Sequence, residues 1–110
     1  FDGDTTATAR RLHDVTGFPF PEGTHFQSGF GHLFGYDAGY YGYLWSHVFG
    51  DDMYTRFEHV GPLDRATGRA YREAILERGG TEDGDALVRG FLGREPNNAA
   101  FLRGLGLDGE

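Results

Sequence analysis

The chain has 110 residues, 38% of them apolar, with 19 glycines, no cysteine and a formal net charge of −7. That length fits one domain with a modest core. The lack of cysteine excludes a disulfide framework or thiolate metal site, and the acidity argues against nucleic acid as a partner.

No apolar run is long enough for a membrane span or a signal-peptide core, so no membrane partner is expected. The acidic balance points to a cytoplasmic setting. Opening on Phe1, with its one methionine at position 53, the chain is expected to be a segment of a longer protein.

In chain order, Asp4 or Thr5 caps a first helix that runs to about residue 15 and is stopped by Gly17. Residues 17–31 interleave Pro and Gly with Phe18, Phe20, Phe26 and Phe30, which predicts irregular chain laid against a core. A glycine-broken loop follows around residues 35–39. From Tyr40 to about residue 59 the pattern is helical. Tyr41, Trp45, Phe49, Met53 and Phe57 recur every four residues as the expected core stripe. Tyr40, Tyr43 and His47 fall on a neighbouring face, and Asp51–Asp52 on a solvated one. Gly42 and Gly50 each cost roughly 1 kcal/mol inside such a helix, which marks positions of close approach.

After a turn at Gly61, a helix over residues 65–78 is stopped by Gly79 and Gly80. Another over residues 83–92 ends at Gly93 and Pro96, and a last one, with Asn97 as its cap, runs to about residue 105. No segment sustains a period of two, so the fold class is all-α.

The stretch GHLFGYDAGYYGYLWSHV, residues 31–48, gathers Tyr36, Tyr40, Tyr41 and Tyr43 behind a glycine-broken loop. Phenols bring hydroxyl donors. A flexible loop that delivers several of them to one place is suited to gripping a polar ligand or a transition state.

This stretch, with DDMYTRFEHVG, YREAILERGGTEDGDALVRGFLGREP and AAFLRGLGL after it, resembles the C-terminal part of the thimet oligopeptidase and neurolysin family. These are zinc-dependent oligopeptidases that hydrolyse short peptides. The resemblance implies a helical C-terminal part of a peptidase catalytic domain spanning residues 1–110. Its partners would be short peptide substrates and the N-terminal remainder of the parent enzyme. The family carries zinc on an HExxH helix with a further glutamate, both N-terminal to the loop. No HExxH occurs here, where the histidines are His13, His25, His32, His47 and His59. Zinc is therefore expected in the intact parent, with no metal ligand and no cofactor in this chain, which alone is expected to be inactive.

By the same resemblance, Tyr43 is the donor to the tetrahedral oxyanion, and Tyr40 shares that role or holds the substrate backbone. His32 contacts the substrate near the cleavage point, with Tyr36, Gly35 and Gly39 also in substrate binding. The family loop often has two glycines before its first tyrosine, where this chain has only Gly35.

Blander readings stand beside these. The tyrosines and His32 can be packing residues with satisfied hydroxyls, and His47 with Asp51 can be a metal pair or a solvated contact. Arg94 can pair with a carboxylate or helix C-terminus, or bind substrate. The glycine spacing matches neither a P-loop nor a dinucleotide fingerprint. The alternative function is a non-catalytic peptide-binding or structural helical module.

Overall fold

Aspartate side chains cap three of the helices. In the computed structural model, which describes residues 3–107, Asp4 Oδ1 accepts the Ala7 N–H at 2.9 Å and opens helix α1, Thr5–His13. Such a bond satisfies one of the N–H groups a helix start leaves without an intrahelical partner. Arg10, Arg11 and His13 occupy the last turn, where cations offset the helix dipole. A 3₁₀ turn, Asp14–Thr16, continues the helix until Gly17 ends it at φ 71°, a left-handed value suited to glycine. No strand occurs among the described residues, and none of their helices is long and apolar enough to cross a membrane.

The chain forms two compact units, Phe1–Tyr40 and Tyr41–Glu110. In the first, a 3₁₀ turn Phe26–Gly29 is tied to α1 by side chains. Gln27 Nε2 donates to Thr5 Oγ1 at 3.1 Å and Thr6 Oγ1 at 2.8 Å, and His25 Nδ1 lies 2.8 Å from the Thr6 hydroxyl. Between α1 and this segment runs a groove of about 560 Å³, lined by Leu12, Phe26, Phe30 and Leu33 among others. A single helical turn, α2, His32–Gly35, follows. The expectation that the phenylalanines of residues 17–31 lie against a core is corrected. Phe18 and Phe26 are exposed, Phe20 and Phe30 half-buried, and no described residue up to Tyr40 is fully buried. With one two-turn helix and short turns, this unit has too little apolar surface to enclose a core.

The second unit contains α3, Gly42–Glu58; α4, Arg65–Tyr71, running on through a π-helical turn, Arg72–Leu76; α5, Gly84–Leu92; and α6, Ala99–Gly104. Asp64 caps α4 by accepting the Thr67 N–H at 2.7 Å, and Asp83 caps α5 by accepting from the Asp85 N–H at 2.9 Å. Gly93 ends α5 at φ 70°. The expectation that Asn97 caps the last helix is corrected: α6 starts at Ala99 with Asn98 in the cap position and no side-chain cap bond, while Asn97 Oδ1 accepts the Ala99 N–H at 2.9 Å in the turn before it.

The core is Leu87, Val88 and Phe91 from α5 with Ala100 from α6. Phe91 is its centre: the Tyr71 ring meets it edge-on at 5.5 Å, Phe57 lies 6.4 Å away, and the Arg56 guanidinium sits 4.5 Å over its face. Arg56 also donates to the Phe91 carbonyl, at the end of α5 where the helix leaves carbonyls unpaired. Burying a phenylalanine this completely contributes roughly 2–3 kcal/mol.

Two expectations for α3 fail. Asp52, assigned to a solvated face, is 1% exposed. Its carboxylate accepts from Arg94 Nη1 at 2.9 Å and Nη2 at 2.5 Å, and from the Asn97 N–H at 2.8 Å. Conversely, of the expected core stripe, Tyr41 is 70% and Trp45 62% exposed, while Phe49, Met53 and Phe57 are half-buried. The cause is where partners reach. The contacts of α5, α6 and their connection with α3 include His47 with Phe101, Asp52 with Arg94, Phe57 with Phe91 and Glu58 with Arg103, all at or beyond position 47.

Burial pulls the Asp52 carboxyl upward, but the hydrogen bonds from Arg94 and Asn97, with the Arg94 and Arg103 charges, outweigh it and hold the group below the usual carboxylate range. The Thr67 N–H and hydroxyl depress Asp64 likewise. A depressed native pKa gives stability that is complete above the unfolded value of about 4 and is lost as pH falls through the native one. Asp52→Ala should cost about 2–3 kcal/mol at neutral pH. That is below the figure for a fully dry pair, because Arg94 is itself partly exposed. In denaturant titrations followed by circular dichroism, Asp52→Asn should flatten the fall in stability between about pH 5 and pH 3. An unchanged slope would mean that Asp52 does not carry the acid response.

Candidate functional site

The loop carrying the expected site residues is built from short backbone bonds. The Phe34 N–H donates to the Gly31 carbonyl at 3.0 Å, and the Tyr36 N–H to the His32 carbonyl at 2.8 Å, closing α2. The Gly39 N–H then donates to the Tyr36 carbonyl at 3.0 Å. Inside that turn Ala38 has φ 56°, the one left-handed non-glycine residue among those described. For alanine this costs about 1–2 kcal/mol. Neither Gly35 nor Gly39 is left-handed; space is open around Gly35, and a Cβ on Gly39 would touch the Tyr36 ring at 3.5 Å.

The turn brings Tyr40 back to His32. Their ring centroids lie 5.1 Å apart at 67°, and on its other flank His32 meets Tyr36 at 6.0 Å and 83°. Phe30 stands edge-on to Tyr40 at 5.1 Å and tilted against His32 at 5.5 Å. His32, Tyr36 and Tyr40 thus form one aromatic group within the first unit, each ring partly open to solvent. Edge-to-face geometry of this kind adds roughly 0.5–1.5 kcal/mol per pair beyond area burial. Tyr43 belongs to the second unit, on the first turn of α3, and is 56% exposed.

The remaining sequence candidates sort clearly. His47 Nδ1 and Asp51 Oδ2 are 3.4 Å apart, and with His47 70% exposed the pair is a solvated contact. Arg94 takes the carboxylate option, through Asp52, and that bond raises its pKa. Among the described residues no group of three or more His, Asp or Glu side chains is placed to hold a metal ion. A zinc site needs three or four such ligands, so these residues do not fit one. Sequence reasoning gave Phe30 no part in the aromatic group and Ala38 no special backbone. Phe30 read only as one of several loop aromatics, and alanine carries no signal for a left-handed turn.

The family model described as peptidase family M3 matches residues 2–107. The chain belongs to peptidase family M3. Its relatives include oligopeptidase A of Escherichia coli, 41% identical over 108 residues that make up 96% of this chain and 16% of that protein. Saccharolysin of Saccharomyces cerevisiae is 51% identical over 80 residues, 71% of this chain and 11% of that protein. Dipeptidyl carboxypeptidase of Escherichia coli is 45% identical over 81 residues, 72% of this chain and 12% of that protein. The chain therefore spans less than a fifth of the length of these M3 relatives.

The left-handed turn gives a local test. Ala38→Val should destabilise the turn by more than about 1 kcal/mol, since a β-branched residue tolerates positive φ least. Ala38→Gly should be close to neutral, relief of strain being offset by the freer unfolded chain. Equal losses for both variants in chemical denaturation would show that the backbone at this position is not left-handed in solution.

Proposed function

We propose that the chain is the C-terminal part of the catalytic domain of a zinc oligopeptidase that hydrolyses short peptides. The observation that supports this best is the M3 match along nearly the whole chain, including the loop that bears Tyr36, Tyr40 and Tyr43. Zinc and the general base belong, in this reading, to the N-terminal remainder of the parent. This segment supplies hydrogen-bond donors and substrate contacts, in a cytoplasmic enzyme.

Attack of water on a peptide carbonyl places negative charge on the former carbonyl oxygen. A donor aimed at that position stabilises the transition state more than the ground state. The Tyr43 hydroxyl is that donor, on a residue whose backbone is held by a 17-residue helix. Tyr40 assists it or holds the substrate backbone. His32, Tyr36, Gly35 and Gly39 line the substrate path, with Tyr36 and Tyr40 about half exposed to solvent. A phenol suits the work because it is a neutral donor at neutral pH.

Two measurements test the proposal. In the full-length enzyme, Tyr43→Phe should lower kcat by about a hundredfold with KM nearly unchanged. A rise in KM at constant kcat would make Tyr43 a uniform binding contact instead. The 110-residue chain alone should neither cleave a quenched fluorescent peptide nor retain stoichiometric zinc after dialysis. A tight one-to-one zinc site would refute the division of labour proposed here.

A further inference from the structure

Phe30 is fixed on both sides by backbone. Its N–H donates to the Gln27 carbonyl at 3.4 Å, at the end of the 3₁₀ turn, and its carbonyl accepts the Leu33 N–H at 3.1 Å, in the first turn of α2. Its ring is stacked on Phe26 at 5.5 Å and 26° and lines the apolar groove beside α1. From that anchored position it meets both Tyr40, edge-on at 5.1 Å and 75°, and His32, at 5.5 Å and 45°. His32 and Tyr40 in turn meet each other at 5.1 Å. The three rings therefore form a closed triangle in which only Phe30 has no polar atom to offer a substrate.

We propose that Phe30 is a positioning residue, whose ring fixes the side-chain angles of Tyr40 and His32 so that phenol and imidazole are presented together. This rests on the functional reading of Tyr40 and His32 given above. A phenol on a loop, partly open to water, has several rotamers within reach, and two rings packed edge-on against it restrict both of its torsions. Loss of the Phe30 ring should leave the donors present but misplaced, which lowers turnover rather than affinity.

The test is a mutant cycle in the full-length, zinc-loaded enzyme, with thermal unfolding measured on every variant. Phe30→Leu should lower kcat on the order of tenfold with KM within about twofold, and Phe30→Tyr, which keeps the ring, should restore most of the activity. In a background carrying Tyr40→Phe and His32→Gln, Phe30→Leu should cost less than about a further twofold. The same loss in both backgrounds would overturn the positioning role while leaving the functional reading intact. If the Tyr40→Phe, His32→Gln background keeps wild-type kcat, the functional reading itself fails, and with it the role of Phe30. Should Phe30→Leu not fold, the volume-conserving Phe30→Met is read in its place. An unchanged kcat per folded molecule in either variant refutes the proposal.

Discussion

Asp52 carries a charge in a place where a charge is costly. Moving a carboxylate out of water costs several kcal/mol, returned only when the geometry of its partners is good. Here Arg94 bonds both oxygens in a fork, the Asn97 N–H takes a further position, and the Thr55 hydroxyl bonds the Asp52 carbonyl beneath. The result joins the middle of α3 to the connection between α5 and α6, which has no regular structure of its own. Gly93 ends α5 and Pro96 prevents its continuation, so something other than a helix ladder must hold residues 93–98. Asp52, Arg94 and the Asn97 N–H do so, with Arg94 also donating to the Glu95 carbonyl at 3.0 Å. Breaking the pair would leave a buried group without its partner, a larger loss than the pair contributes in net stability.

The apolar contacts of the second unit complete this arrangement. Phe91 fills the space beside Tyr71 and Phe57, and Arg56 closes over it with a cation–π contact and a bond to its carbonyl. Polar and apolar anchors thus act on the same helix one turn apart, Asp52 through charge and Arg56 through a ring and a helix end. Surface pairs such as Arg89 with Asp85 and Glu95 lie in solvent and add little by comparison. Full burial is therefore concentrated in the second half of α3 and the helices on it.

The first unit is held differently. Its fixed points are hydroxyl and amide bonds among Thr5, Thr6, His25 and Gln27, and rings meeting edge-on around Phe30 and His32. Polar bonds exposed to water each contribute only about 1 kcal/mol, so loop positions here depend on several small contacts acting together. The strained Ala38 lies in the same segment.

Local chemistry in the sequence determined the helices and their ends. Asp4 caps where expected, Gly17 and Gly93 stop helices in the left-handed conformation, and the absence of any two-residue period left only helices. These signals act within a few residues and need no distant partner. The long run from the glycine loop through FLGREP likewise carried the family by itself, since a motif is a property of sequence. Burial was decided by tertiary structure alone. Trp45 has the better hydrophobic spacing and Asp52 the poorer, yet Trp45 faces water and Asp52 the interior. The α5–α6 connection reaches the middle of α3 and brings a guanidinium with it. The Asp52–Arg94 pair and the Tyr71, Phe57 and Arg56 groups around Phe91 are of the same kind. Each depends on which groups meet across the fold, and spacing along the chain records only which groups are near one another in sequence.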